Sequence, residues 1–185
     1  MAGTNKPRFD KLTAKKRPQP AKIIAVCGAG ECDEQVAALA EAVGQEIARR
    51  GYWLACGGLG GVMEAAARGA KQAGGMTLGI LPGLSKAEAN PWIDVAVATG
   101  LREGRNLILV RTADAVIALS GEYGTLSEIA LALKIGKPVI GLNTWKVGPE
   151  VVLARDAAEA VEKAVRLALR ETAAAACGSR SKRSS

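Results

Sequence analysis

The sequence contains no histidine, and this absence excludes several kinds of active site. Catalytic arrangements such as Ser-His-Asp and Cys-His need an imidazole to accept and return a proton. A zinc site of the Cys/His type is excluded for the same reason, and the four cysteines form no Cys-x-x-Cys pair. We therefore predict no metal site and no disulfide framework. Any catalysis by this chain must use carboxylates, guanidinium groups and backbone dipoles.

The chain also has few aromatic residues (3%) and no long apolar run. Its longest uncharged stretch, residues 72–85, has 14 residues and is interrupted by glycine and proline. A helix needs about 20 apolar residues to span a bilayer. The N-terminus lacks the apolar segment of a secretory signal. We expect no membrane association and a cytoplasmic location.

The formal net charge of +7 comes from the two ends of the chain. Residues 1–22 hold seven Lys/Arg against one Asp, and the last ten residues add three bases. The segment between them holds 15 bases and 17 acids, so it lacks the basic surface that nucleic acids require. We predict no nucleic-acid partner. We also predict disordered basic tails at residues 1–20 and 177–185 around one domain, residues 21–176.

Within that domain, short apolar runs alternate with segments of helical periodicity. Asp33 is expected to cap the first helix, and Gly51 to end it. The predicted strands are residues 21–27, 52–56, 76–81, 93–98, 114–119, 138–142 and 151–153. Alternation of this kind indicates βαβ units. The sequence therefore predicts a single doubly wound, Rossmann-like α/β fold, with a mainly parallel sheet of about six to seven strands and helices on both faces.

Three glycine-bearing turns each follow a predicted strand and precede a predicted helix. Ligands of open parallel sheets bind at the carboxyl ends of the strands, and helix N-termini favour anions. Although such turns often need glycine for packing alone, three of them together favour a phosphate-bearing ligand. The candidate ligand-binding residues are Gly28 and Gly30 in the first turn, Gly57, Gly58, Gly60 and Gly61 in the second, and Gly121, Gly124 and Thr125 in the third.

Two common phosphate-binding fingerprints are missing. The first turn has Gly-x-Gly without the third glycine of the dinucleotide motif, and no acidic residue follows the second strand to hold a ribose. The Walker motif is absent because the only Gly-Lys pair is followed by Pro138. These observations exclude the usual dinucleotide and P-loop enzymes.

The third turn allows two interpretations. Residues 125–128 (TLSE) match a capping box, in which Glu128 would bind back to the start of a helix at Thr125. The same spacing also puts a carboxylate about one turn from an anion-binding helix N-terminus. Arg105 lies upstream, in a helix predicted over residues 102–112 and at the same edge of the sheet. Arg105 and Glu128 are thus the candidate catalytic residues if the protein is an enzyme.

Residues 104–128 (GRNLILVRTADAVIALSGEYGTLSE) resemble the Lonely Guy family, also labelled lysine decarboxylase-like. That family carries an arginine followed by P-G-G-x-G-T-x-x-E, with the glutamate 23 positions after the arginine, and Arg105 and Glu128 keep this separation. Residues 26–30 and 55–65 are similar to the family's first two turns. Residues 81–105 and the short domain look more like the molybdenum-cofactor carrier branch of the superfamily.

The resemblance implies two functions. In the carrier branch the turns would hold the phosphate of molybdopterin, and no bond would break. In the enzyme branch, water would attack the anomeric carbon of a nucleoside 5′-monophosphate such as AMP. Glu128 would stabilise the oxocarbenium-like transition state, and Arg105 would hold the phosphate or the leaving group. A third interpretation is a nucleotide-sensing module that acts through a protein partner. The family also implies a homodimer formed through helices.

Three positions depart from the enzyme branch and favour the carrier. Ser120 replaces the motif's proline, Glu122 replaces its second glycine, and Asn106 stands where a lysine usually follows the arginine. We expect a protein that requires no cofactor for catalysis and binds a molybdopterin-like or AMP-like ligand.

Overall fold

The computed structural model describes residues 21–181, with side chains described as far as Arg170. The tail predicted for residues 1–20 lies outside the described residues, as do residues 182–185. The strands are β1 (Ile23–Gly28), β2 (Trp53–Cys56), β3 (Thr77–Leu81), β4 (Val95–Ala98), β5 (Ala115–Leu119), β6 (Val139–Leu142) and β7 (Val151–Leu153). The helices are α1 (Glu34–Arg49), α2 (Val62–Gln72), α3 (Arg105–Thr112), α4 (Tyr123–Lys134) and α5 (Ala157–Ser181).

The seven strands form one parallel sheet in the order β4-β3-β2-β1-β5-β6-β7, which confirms the predicted fold class. The chain builds outward from β1 to β4 and then returns to add β5 on the other side of β1. This reversal makes the β1–β5 boundary the topological switch point, where open α/β sheets bind ligands. Gly28 and Leu119 are register partners at the carboxyl ends of these two strands.

Helices cover both faces of the sheet, and successive residues of each strand serve opposite layers. Ile24 and Val26 pack in a core with α1, α2 and α5. Ala25 and Cys27 pack in a second core with α3 and α4. The functional consequence is that α3 and α4 lie side by side and both begin at the carboxyl edge.

Most helix boundaries agree with the sequence. Asp33 caps α1 by accepting a hydrogen bond from the Val36 N–H at 2.8 Å, and Gly51 follows the helix with φ +75°. The helix predicted over residues 102–112 is divided into a 3-10 turn, Arg102–Gly104, and α3. At the other end of the chain, α5 continues through Ser181, past the domain boundary predicted at residue 176.

The helices of the described residues include none with the length and apolar character needed to cross a membrane.

Candidate functional site

A cleft of about 330 Å³ opens at the switch point between β1 and β5. We call it the main cleft. Its walls come from the first and third glycine turns, Leu59 of the second turn, the loop before α3, and the starts of α2, α3 and α4. The lining residues are Val26, Cys27, Gly28, Ala29, Gly30, Leu59, Met63, Pro82, Arg102, Glu103, Arg105, Asn106, Glu122, Gly124, Thr125 and Glu128.

The main cleft brings together part of the predicted site. Both candidate catalytic residues line it, together with four candidate binding residues: Gly28, Gly30, Gly124 and Thr125. The glycines of the second turn do not line it, nor does Gly121. These remaining glycines have other positions in the fold.

The second turn packs against the first turn and against Arg105. A side chain at Gly61 would meet the backbone of Ala29 and Gly30, and Gly60 is also close to Gly30. Gly58, with φ +76°, would bring a side chain against Leu81. Gly57 lies directly against the Arg105 guanidinium, so a methyl group there would displace it. The second turn therefore supports the cleft from behind.

Helix α4 begins two residues earlier than predicted, and this overturns the capping-box interpretation. Its N-cap is Glu122, and Thr125 lies inside the first turn with 2% of its surface exposed. Glu128 does not reach back to the helix start. Its carboxylate points into the protein, where Arg105 donates to it from α3 at 3.1 Å. The capping-box pattern considers only partners close in the sequence. The observed partner, Arg105, lies on another helix and meets Glu128 only in the folded chain.

Both members of this ion pair are buried, with 9% of Arg105 and 5% of Glu128 exposed. Burial raises the pKa of the Glu128 carboxyl, and the nearby Arg105 guanidinium limits the rise. Burial also raises the pKa of the Cys27 thiol well above its usual range, and the neighbouring Glu128 carboxylate adds to this effect. Cys27 is therefore a neutral thiol that donates a hydrogen bond to Glu128 at the floor of the cleft.

Two buried polar atoms in the main cleft have no hydrogen-bond partner: Arg105 Nε and Thr125 Oγ1. Unpaired buried groups are uncommon because each costs about 1–3 kcal/mol of lost hydration. The N–H groups of Tyr123, Gly124 and Thr125 are also free of helical partners, since the first helical bond of α4 runs from Leu126 to Glu122. The cleft thus presents a guanidinium, a hydroxyl and a helix N-terminus.

Sequence reasoning missed several lining residues. Asn106 donates from Nδ2 to Ser127 Oγ at 2.8 Å, which ties α3 to α4 beside the ion pair. Glu103 and Met63 also line the cleft, and although both lie in segments that resemble the family, neither was named as a candidate site residue. Cys27 is buried, and it also lines the cleft. No local pattern marks these residues, because only the packing of distant elements brings them to one cavity.

Backbone strain is concentrated at the same edge of the sheet. Among the described residues other than glycine, those with positive φ are Arg102 (48°), Ser120 (51°) and Asn143 (49°). Arg102 lines the main cleft, whereas Ser120 and Asn143 follow the neighbouring strands β5 and β6. Such conformations persist where the surrounding contacts hold them, and they are concentrated at ligand sites. Across the described chain, no group of three or more Cys, Asp or Glu residues is arranged to hold a metal ion.

The ion pair predicts a pH-dependent defect in Arg105→Met. At neutral pH the variant leaves a buried carboxylate unpaired, so we expect a loss of about 3–5 kcal/mol in unfolding free energy. Because folding raises the pKa of Glu128, the cost of its ionised form is absent below the unfolded pKa of about 4.3 and develops as pH rises through the folded value. Urea unfolding between pH 4 and 8 should show a defect that shrinks in acid. The control, Arg105→Met with Glu128→Leu, should remove most of the pH dependence, and a pH-independent defect would contradict this account.

Ser120 provides a second test, since the Lonely Guy motif has proline here. Proline requires φ near −65°, whereas Ser120 adopts +51° and donates its N–H to the Leu142 carbonyl at 3.0 Å. We expect Ser120→Pro to lower the unfolding free energy by about 2–3 kcal/mol. Ser120→Gly, which tolerates positive φ and keeps the N–H, should be neutral or slightly stabilising. Equal stability of the proline variant and the wild type in urea would show that this turn is not strained.

Comparisons with known proteins agree with the geometry. The sequence profile of the SLOG cluster4 family matches residues 21–176. An uncharacterized protein of Archaeoglobus fulgidus is 51% identical over 120 residues, which cover 65% of this chain and 79% of that protein. The cytokinin riboside 5′-monophosphate phosphoribohydrolase of Mycobacterium tuberculosis is 32% identical over 133 residues, covering 66% and 71%. The structure of the molybdenum cofactor binding protein from Rippkaea orientalis has 39% identity and a TM-score of 0.74, covering 78% of this chain and 96% of that one.

These matches confirm the predicted resemblance to the Lonely Guy superfamily and to its molybdenum-cofactor carriers. The profile spans all seven strands and both helices that carry the ion pair. The chain belongs to the SLOG cluster4 family.

Proposed function

We propose that this protein binds a small phosphorylated, nucleotide-like ligand in the main cleft and acts as a carrier of the molybdenum cofactor. The observation that supports the proposal most directly is the pair of unpartnered buried atoms, Arg105 Nε and Thr125 Oγ1. Both are hydrogen-bond donors and both line the cleft. A phosphate oxygen accepts from each of them, which removes the cost of leaving them unpaired.

The start of α4 supplies the remaining phosphate contacts. The free N–H groups of Gly124 and Thr125 carry the positive end of the helix dipole. Gly124 has open space where a side chain would stand, so an anion can approach the backbone closely. The phosphate is held here, in the cleft that Gly28 and Gly30 also line.

Charge alone does not explain anion binding in this cleft. Its lining includes two cationic side chains, Arg102 and Arg105, and three carboxylates, Glu103, Glu122 and Glu128. Arg105 is already paired with Glu128 through Nη1, while its buried Nε has no partner. Binding therefore depends on directed donors at short range. This arrangement suits a carrier, because the donors recognise a phosphate by their positions. A strongly positive cleft would instead slow the release of the bound ligand.

The solved relative from Rippkaea orientalis is described as a molybdenum cofactor binding protein, and it covers 78% of this chain. This likeness supports the cofactor as cargo. No bond of the cargo is broken in a carrier, which agrees with a site that has no histidine and whose carboxylate is engaged with Arg105.

Thr125→Val tests the phosphate site. It replaces the unpartnered hydroxyl with a methyl group of similar size, so we expect binding of molybdenum cofactor, measured by retention on the full chain, to weaken about tenfold or more. Thr112→Val is the matched control, because the Thr112 hydroxyl donates to the Ile108 carbonyl on the same helix and does not line the cleft. Wild-type protein that neither binds the cofactor nor copurifies with a phosphate-bearing compound, as judged by mass spectrometry, would overturn the proposal.

A second candidate function is hydrolysis of nucleoside 5′-monophosphates. The 32% identity to the M. tuberculosis phosphoribohydrolase and the retained Arg105–Glu128 pair favour it. In that reaction water attacks the anomeric carbon, the bond to the base breaks, and the base leaves with a proton. Glu128 stabilises the positive charge that develops on the sugar. Release of adenine from AMP that is abolished by Glu128→Gln would establish the hydrolase, and binding without release supports the carrier.

We also propose a homodimer, formed through α3 and α4. These helices carry apolar side chains that are only partly buried at the margin of the core, namely Leu107, Ile108, Leu126, Leu131 and Leu133. Burial of such a surface against a second copy is favourable. Sedimentation velocity should detect a particle of twice the 19.0 kDa chain, and a monomer at micromolar concentration would contradict the proposal.

A further inference from the structure

A second cleft lies at the carboxyl ends of β5 and β6. We call it the side cleft. It has a volume of about 230 Å³ and is lined by Ser120, Gly121, Asn143, Thr144 and Trp145. None of the candidate catalytic residues lines it. The proposed phosphate site therefore leaves this cleft without a role.

Two loops are held together to form the side cleft. Thr144 Oγ1 donates to the Ser120 carbonyl at 2.6 Å, and Trp145 Nε1 donates to the Glu122 carbonyl at 3.3 Å. The Ser120 N–H donates to the end of β6. Ser120 and Asn143 both adopt positive φ. Gly121, which follows Ser120 and precedes α4, has φ +113°. The hydrogen bonds between the two loops hold these residues in strained backbone conformations. Strain held in this way is concentrated at functional sites.

An aromatic pair stands at this cleft, although aromatic residues are scarce in the chain. The rings of Tyr123 and Trp145 are 5.9 Å apart and tilted by 32°. Tyr123 is 80% exposed and Trp145 is 38% exposed. The indole is held by its hydrogen bond to the Glu122 carbonyl, and more than a third of the Trp145 surface is exposed. Exposed, fixed aromatic faces are suited to stacking on planar rings.

The side cleft adjoins the proposed phosphate site. Gly121 lines the side cleft, and a methyl group added to it would collide with the Thr125 hydroxyl of the main cleft. Glu122 lines the main cleft, while its carbonyl holds Trp145 at the side cleft. The two cavities are thus separated by the short backbone segment around Gly121. A single ligand can contact both across this glycine.

The chemistry of the side cleft differs from that of the main cleft. No cationic side chain lines it, so it is not a second phosphate site. It offers the indole of Trp145 and the amide of Asn143, which makes no side-chain hydrogen bond within the described residues. An asparagine amide supplies one donor and one acceptor to the edge of a nitrogen heterocycle.

We propose that the side cleft binds the aromatic heterocycle of the phosphorylated ligand, with the ring stacked on Trp145 and its edge hydrogen-bonded to Asn143. This inference rests on the proposed phosphate site at Thr125. A purine and a pterin share the required chemistry, since both are flat, bicyclic and bear donors and acceptors on one edge. Because Gly121 has no side chain, the ligand can run past it from the phosphate at Thr125 to the ring at Trp145.

Calorimetric titration of the full chain with three monophosphates tests the proposal. AMP carries a purine, neopterin monophosphate carries a pterin, and ribose 5-phosphate carries no ring. We expect at least one ring-bearing compound to bind about tenfold more tightly than ribose 5-phosphate, and the tighter of the two identifies the ring. Trp145→Leu should abolish this preference and leave the affinity for ribose 5-phosphate unchanged.

Two further variants separate recognition from folding. Asn143→Gly removes the amide but accepts the observed φ of 49°, so it should weaken only the ring-bearing compound, by several-fold. Trp53→Leu is the control, because Trp53 begins β2 at the opposite edge of the sheet and should leave the preference intact.

The outcomes distinguish this inference from the function on which it rests. If all three compounds bind equally, and Trp145→Leu changes none of them, the side cleft is not a ring site although the phosphate site stands. If none of the three binds, the phosphate proposal fails and the ring site fails with it. A ring preference that survives Trp145→Leu and Asn143→Gly would place the ring elsewhere and overturn the inference.

Discussion

The buried ion pair between Arg105 and Glu128 is the constraint on which the rest of this site depends. Two opposite charges, each more than nine-tenths buried, must find one another or lose several kcal/mol of stability. Their pairing fixes the distance between the starts of α3 and α4. The same guanidinium keeps an unpaired Nε, and Arg105 lines the main cleft. The ion pair therefore ties α3 to α4 at the wall of this cleft.

The glycine turns divide their roles around the ion pair. Glycines of the first and third turns line the cleft, whereas those of the second turn make room for Arg105 and the first turn, and only Leu59 of the second turn lines the cleft. A methyl group at Gly57 would stand where the guanidinium lies, so this glycine acts on the ligand only through the arginine. The glycine-rich composition of the chain thus serves close packing at the second turn and backbone exposure at the others.

The same geometry explains why carrier and hydrolase are related functions. Under our proposal both hold a phosphate at the start of α4, and they differ in whether Glu128 is free to stabilise charge on a sugar. In this chain Glu128 is bonded to Arg105 and contacted by the Cys27 thiol, and burial raises the pKa of its carboxyl. A carboxylate engaged in this way is well suited to hold the floor of a binding site. The aromatic pair beyond Gly121 is the surface that we propose for the ring of the ligand.

The sequence by itself determined the architecture, because strand and helix patterns are local. The parallel sheet, the Asp33 cap and the Gly51 stop follow from residues close in the chain. The separation of Arg105 and Glu128 also marked the site residues through a family motif, while their roles in binding or catalysis stay a prediction. The capping box at residues 125–128 was wrong for a physical reason: a buried cation on another helix is a stronger partner for a carboxylate than an exposed N–H. Only the tertiary structure decided that Arg105 is the partner of Glu128. It also decided which glycines line the main cleft and which pack behind it, and it brought Trp145 to the same cleft as Gly121. Each of these outcomes depends on contacts between segments that are far apart in the sequence.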